Sequence, residues 1–200
     1  MAGVREFYES VWAALPDDPE PWAWEERRAL LLAELRPGER VLDLGCGAGR
    51  FVAALRDAGV EPVGVELSSA ALERARRNVP GADVRLMEPD GGIPLGHGEV
   101  DLVWCSEVLE HVPDTAALLH EVRRVLRPGG RLLVTVPFHG RVKAALIALA
   151  RFDAHFDPLG QHLRFYTRRS LAGALEATGF TSVRCTRFAP GALRARALRG

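Results

Sequence analysis

From residue 41 onward the apolar residues change period in a steady rhythm, and that rhythm leaves few architectures open. Short apolar runs at Val41–Gly45, Pro62–Glu66, Val84–Met87, Asp101–Cys105 and Arg131–Pro137 read as strands, and segments with helical spacing lie between most of them. Arg50–Ala58 places Phe51, Val52, Ala54, Leu55 and Ala58 on one side and stops at Gly59. Ser68 caps a helix running through Asn78 with Leu72 and Ala75 or Val79 inward, and Thr115–Leu126 is amphipathic. A strand returning parallel to its neighbour needs a crossover long enough to hold a helix, so this alternation predicts βαβ units. Continuous apolar strands such as Leu132–Val136 imply burial on both faces. The predicted class is α/β: a doubly wound, mostly parallel sheet with helices on both faces.

After Pro137 the rhythm breaks. Residues 138–166 hold a short apolar helix, Val142–Ala150, and a polar loop; the helix Ser170–Thr178 then ends at Gly179, and strands follow at Thr181–Arg187 and Ala192–Leu198. Arg141, Lys143 and Arg151 flank the apolar helix, whose longest uninterrupted run, Ala144–Ala150, falls far short of the roughly 20 residues that span a bilayer. The acidic, proline-bearing first thirty residues do not read as a signal peptide. Charge is balanced overall, 26 basic against 26 acidic residues, so no bulk field draws the chain to a polyanion. The balance is uneven locally: residues 1–36 carry eight acids and four arginines, and residues 161–200 carry eight arginines and the single acid Glu176. No aromatic interleaving or nucleic-acid motif accompanies those arginines, so no nucleic-acid partner is expected. Three distant cysteines, Cys46, Cys105 and Cys185, build no disulfide framework and point to a reducing, cytoplasmic setting.

The chemistry concentrates in Val41-Leu-Asp-Leu-Gly-Cys-Gly-Ala-Gly-Arg50. Glycines at alternate positions between a buried strand and a helix let a ligand press against bare peptide. The helix behind them offers unpaired N–H groups and a positive dipole end. Glu66 closes the second strand, where a carboxylate at the crevice suits the hydroxyls of a ribose. Together these mark a nucleoside site. A dinucleotide loop would continue G-x-G-x-x-G/A, but here Arg50 stands at the last position, where its side chain would obstruct a pyrophosphate. Asp43 also sits badly beside a diphosphate and suits a ligand bearing an ammonium group.

At this point the chain resembles the class I S-adenosylmethionine-dependent methyltransferases, nearest to the small-molecule, quinone-biosynthesis-like group. Val41–Arg50 is similar to that family's glycine-rich motif, Asp101–Val112 to its fourth-strand motif and Leu126–Val134 to its fifth-strand entry. The resemblance implies a seven-stranded, Rossmann-like sheet with a reversed final hairpin, and S-adenosyl-L-methionine as cofactor. It implies that Asp43, Gly45, Cys46, Gly47 and Gly49 surround the methionine moiety, with Ser106 at its border. Glu66 and Leu67 would take the ribose, and Met87 with Glu88 or Asp90 the adenine, Glu88 being the preferred acid.

A nucleophilic acceptor is served by a base, for which histidine is apt. Candidate bases are His162, in a stretch resembling one near the substrate of small-molecule methyltransferases, and His111, at the mouth of the fourth strand. Tyr8, Trp12, His139 and Tyr166 are candidate acceptor contacts. Asp153, His155, Asp157 and His162 fit no established metal spacing, and no metal is assigned. The expected organisation is an N-terminal helical lid segment over 1–36 and a methyltransferase domain over 37–200 with a substrate-side insert at 138–166, as monomer or homodimer. The expected reaction is methyl transfer to O, N or C of a small acceptor. Two alternatives stay open: an RNA or protein methyltransferase using the basic C-terminal face, and a nicotinamide oxidoreductase.

Overall fold

A computed structural model describes residues 2–89, 92–150, 163–189 and 191–200. Helices α1 (Ala2–Ala14) and α2 (Trp24–Leu32) precede β1 (Arg40–Leu44), α3 (Arg50–Asp57), β2 (Glu61–Glu66), α4 (Ser69–Asn78) and β3 (Asp83–Leu86). There follow β4 (Val100–Ser106), a single 3-10 turn (Leu109–His111), α5 (Thr115–Val125), β5 (Leu126–Pro137), α6 (Arg141–Ala150), α7 (Arg168–Ala177), β6 (Phe180–Phe188) and β7 (Ala192–Arg199). The seven strands form one sheet in the order β3-β2-β1-β4-β5-β7-β6. Pairing is parallel from β3 to β5 and antiparallel where β7 meets β5 and β6, which is the reversed hairpin expected at the end.

Strand alternation sorts the core onto two faces. In β4, Val103 and Cys105 join the larger cluster with α5 and α7, while Leu102 and Trp104 join the cluster formed with α2 and α3. On that second face Trp24 packs on Phe51 (centroids 4.9 Å apart) and Phe51 on Trp104 (5.3 Å), which ties α2 to the centre of the sheet. Helix caps follow the local sequence: the Ser68 side chain accepts from the Ala71 N–H, Asp114 from Ala117, and Thr167 from Ser170.

One element departs from the expected bounds. Strand β5 begins at Leu126, five residues before the expected start, because Leu126 pairs with Val100 across an irregularity that absorbs the Pro-Gly-Gly segment. Arg131 is 2% exposed, its guanidinium donating to both Glu39 carboxylate oxygens (2.8 and 2.7 Å) and to the Glu34 carbonyl (2.8 Å). The basic C-terminal stretch is largely engaged in such contacts. Arg196 pairs with Glu34 at 2.9 Å, Arg199 donates to the Arg124 and Leu126 carbonyls, and Arg187 lies over Phe138.

Gly64 in β2 shows how tightly the sheet backs the glycine loop: a Cβ there would stand 2.9 Å from Cys46 Sγ and 3.0 Å from Val52 Cγ2. Gly64→Ala is expected to cost about 1–3 kcal/mol of stability, read by urea denaturation. A stability equal to wild type would show that the loop yields freely.

Candidate functional site

The strand order reverses between β1 and β4, and the carboxyl ends of those strands open a crevice at this switch point. The loop after β1 is pinned to β2 by the Gly45 and Cys46 N–H groups, which donate to the Val65 carbonyl at 2.8 and 3.1 Å. Gly45 and Gly47 have φ of +78° and +52°, and both are crowded. A Cβ at Gly45 would fall 2.6 Å from Val108 Cγ2, and one at Gly47 2.8 Å from Trp12 Cη2. Glycine is required here by conformation and by space together.

The carboxylates around this loop are buried. Asp43 is 2% exposed, and its Oδ2 has no hydrogen-bond partner among the described residues. Burial, then the nearby Glu66 charge, pushes its carboxyl up to about 8. Glu66 is better satisfied: its Oε2 accepts the Gly47 N–H (3.0 Å), and Oε1 accepts those of Leu67 (2.8 Å) and Ser68 (3.1 Å). Burial still raises it above the ordinary carboxylate value, against the pull of those N–H groups. A carboxylate has about four lone-pair sites. With three N–H groups already bound, Glu66 retains room for one further donor more readily than for the pair of ribose hydroxyls expected of it.

Two cavities flank the loop. The larger, about 300 Å³, is walled by Tyr8, Glu66, Leu67, Met87, Glu88 and His111 among others. The smaller, about 190 Å³, is walled by Asp43, Gly45, Cys46, Gly47, Ser106 and the 19–21 segment. Trp12 borders both. In the smaller cavity Ser106 Oγ is bonded to Thr135 Oγ1 at 2.8 Å. Burial, followed by Asp43 and Glu66, pushes the Cys46 thiol well up, so it stays a protonated filler and no nucleophile.

Behind Glu107 and His111, which line the larger cavity, lies a charge cluster not singled out from the sequence. Arg27 of α2 is 4% exposed and pairs with Glu107 at 3.2 Å; Glu107 itself adopts φ +56°. Glu110 is 1% exposed, neither carboxylate oxygen has a hydrogen-bond partner among the described residues, and burial with the Glu107 charge raises it to about 8. Its Oε1 lies 3.7 Å from His111 Nε2, and the His111 ring meets Tyr8 edge-on at 6.1 Å. Glu107 and Glu110 stand within the quoted fourth-strand motif, so a signal existed. Arg27 had none, since a lone arginine in a charged stretch reads as solvated.

Several expected site residues lie elsewhere. Tyr166 belongs to the core, its hydroxyl donating to the Leu109 carbonyl (3.2 Å) and lying 3.1 Å from Thr115 Oγ1, and it lines neither of these two cavities. Gly49 is absent from both cavity walls; a Cβ there would meet Ala75 and Val79 at 3.1–3.3 Å, so close helix packing explains it. His139 stacks beside Phe165 at 5.7 Å and lines neither cavity. Arg50 lines the smaller cavity, with its guanidinium bound to Asp18 (2.7 and 2.8 Å) and Glu20. Asp90, His162 and the Asp153–His155–Asp157 stretch lie outside the described residues.

Comparison with known proteins follows the same lines. A family model described as a methyltransferase domain matches residues 19–184. The chain is 43% identical over 111 residues to an uncharacterised 37.1 kDa protein of transposon TN4556 from Streptomyces fradiae, covering 52% of this chain and 32% of that one. It is 32% identical over 145 residues to the ubiquinone biosynthesis O-methyltransferase of Thiobacillus denitrificans, covering 70% of this chain and 60% of that relative. The chain thus spans less than two thirds of the length of these relatives. In fold it superposes, with a TM-score of 0.79 and 18% identity over 96% of this chain and 97% of the other, on the methyltransferase in a complex with the Trm112 activator of Haloferax volcanii.

Proposed function

Because the chain belongs to the methyltransferase-domain family, with the class I architecture of the S-adenosylmethionine-dependent enzymes, we propose that it transfers a methyl group from S-adenosylmethionine to a nucleophilic atom of a small-molecule acceptor. The observation that carries this reading is Asp43, a buried carboxylate with an unpartnered oxygen, set at the switch point beside a side-chain-free loop. Such a group calls for a cation, and a diphosphate would worsen its position. The cofactor, when bound, supplies a methyl group already activated on a sulfonium.

Asp43 would hold the cationic amino-acid end, with Gly45 and Gly47 leaving space and Cys46 and Ser106 forming the wall. Glu66 would accept from the ribose, while Leu67, Met87 and Glu88 border the adenosyl side. His111 stands at the wall of the larger cavity beside Tyr8 and is placed to take a proton from the acceptor nucleophile. Glu110, with Oε1 3.7 Å from Nε2, would then steady the imidazole, and the Arg27–Glu107 pair would fix the loop that carries both. Residues 1–36 act as a lid segment over a domain of 37–200, with Tyr8 on the acceptor side and Trp12 over the glycine loop; α6, within 138–166, belongs to the substrate-side insert.

A small acceptor without negative charge is supported by the pairing of the arginines near the cavities. Arg27 is tied to Glu107, and Arg50 to Asp18 and Glu20. The arginines engaged in the C-terminal hairpin give little support to the RNA or protein reading. A cytoplasmic setting suits the three free thiols, and among the described residues no helix is long and apolar enough to cross a membrane.

Calorimetry with S-adenosylmethionine and S-adenosylhomocysteine, followed by transfer of labelled methyl to an acceptor panel, tests the proposal. Heat from a nicotinamide dinucleotide alone would overturn it. Glu66→Ala is expected to weaken binding of S-adenosylhomocysteine by about 1–3 kcal/mol. Unchanged affinity would remove Glu66 from the site.

A further inference from the structure

Asp43 and Glu66 belong to different cavities, and Trp12 stands on the ground between them. Its Cη2 and Cζ2 atoms lie 2.8 and 2.9 Å from where a Cβ of Gly47 would be, so the indole rests directly on the loop. No layer of ligand atoms fits between ring and backbone. Trp12 and Gly45 border both cavities, so a molecule held at one end by Asp43 and at the other by Glu66 runs along this loop, where the indole lies.

The ring is held there by several bonds along α1 and the strap behind it. The Glu9 carboxylate sits on the N-terminus of α4, accepting from Ser68 Oγ (2.9 Å), Ser69 N (2.7 Å), Ser69 Oγ (2.6 Å) and Ala70 N (3.1 Å). Burial opposes the charge, yet the hydrogen bonds from Ser69, Ala70 and Ser68 hold this carboxyl down at about 2, so it is ionised throughout the working range. Arg5 donates to the Met87 carbonyl (2.9 Å) and pairs with Glu88 (3.2 Å). Arg74 lies over the Trp12 ring at 5.8 Å and donates to the Pro16 carbonyl at 2.9 Å.

We propose that α1 is a gate on the cofactor seat, with Trp12 as the blocking residue and the Glu9 contact with α4 as its latch. The inference rests on the cofactor reading for the identity of the ligand. A seat that is open only part of the time admits ligand in proportion to the open fraction, and the apparent affinity falls by the same factor. Shortening Trp12 or releasing Glu9 therefore opens the seat without adding any contact to the ligand.

The test is surface plasmon resonance of S-adenosylhomocysteine on the immobilised full chain. Trp12→Ala and Glu9→Ala are each expected to raise the association rate constant by about tenfold or more, with Trp12→Phe intermediate. Glu9→Ala keeps the indole and leaves the core unchanged, removing only the hydrogen bonds to Ser68, Ser69 and Ala70, so the gate stays testable if Trp12→Ala does not fold. A gate is overturned if both variants associate at the wild-type rate, or if they only dissociate faster, as loss of a binding contact would give. Binding by wild type with unaltered association in the variants sinks the gate and leaves the cofactor reading standing. Absence of binding by wild type and every variant overturns both.

Discussion

Asp43→Asn is expected to abolish most cofactor affinity while making the ligand-free protein more stable above neutral pH. The two effects have one cause. Burial and the Glu66 charge raise the Asp43 carboxyl from 3.8 to about 8. Between those values the folded chain keeps a proton that the unfolded chain has released. Stability then falls as pH rises across the window, because the unfolded state binds fewer protons. Asparagine keeps the shape and removes the titration, so the thermal midpoint of the variant exceeds that of wild type at pH 8, and the gap closes toward pH 4. A cationic ligand reverses the balance by giving the carboxylate its counter-charge. Removing one partner of a buried charge pair costs about 2–5 kcal/mol of binding, so Asp43→Asn should show little heat with S-adenosylmethionine. Wild-type affinity for the same compound rises with pH up to about 8 as Asp43 ionises. Unchanged affinity in the variant, or melting curves with the same pH dependence as wild type, would separate Asp43 from the cofactor.

His111→Ala is expected to lower turnover by about 10²–10⁴-fold, the usual worth of a positioned base, with the affinity for S-adenosylhomocysteine left near that of wild type. The imidazole stands on the cavity wall, 3.7 Å from the Glu110 carboxylate and edge-on to Tyr8, so both of its neighbours bear on its orientation. Glu110 is held near 8 by burial and the Glu107 charge, and it titrates in the range where the base must work. Glu110→Gln should therefore alter the pH profile of turnover more than its maximum. A variant lacking His111 that turns over at the wild-type rate would assign proton removal elsewhere, or to solvent.

The parts of this fold that were legible in advance are those whose cause is local. Period-two and helical spacing declare β1 to β5 and α3 to α5, since each element's buried face is written in its own residues. The glycine loop was legible for the same reason: Gly45 and Gly47 mark a turn that side chains would fill. Helix α2 falls within the helical segment expected over 1–36, yet its bounds are not legible because Arg27 occupies one of its buried positions and blurs the apolar stripe. Where Tyr166 and Gly49 face is not legible, because sequence gives their neighbourhood in the chain but not their direction.

What the amino-acid order determined by itself was the strand–helix rhythm, the bare turn after β1 and the acids at Asp43 and Glu66, because period, turn geometry and chemical type reside within a few consecutive residues. What only the tertiary structure decided was which distant groups meet: Trp12 on Gly47, Glu9 on the N-terminus of α4, and Arg27 beside Glu107. These contacts join residues from 35 to 80 positions apart in the chain. They form because the sheet brings its strand ends to one edge, where the N-terminal helices complete the burial, and no local pattern records that meeting.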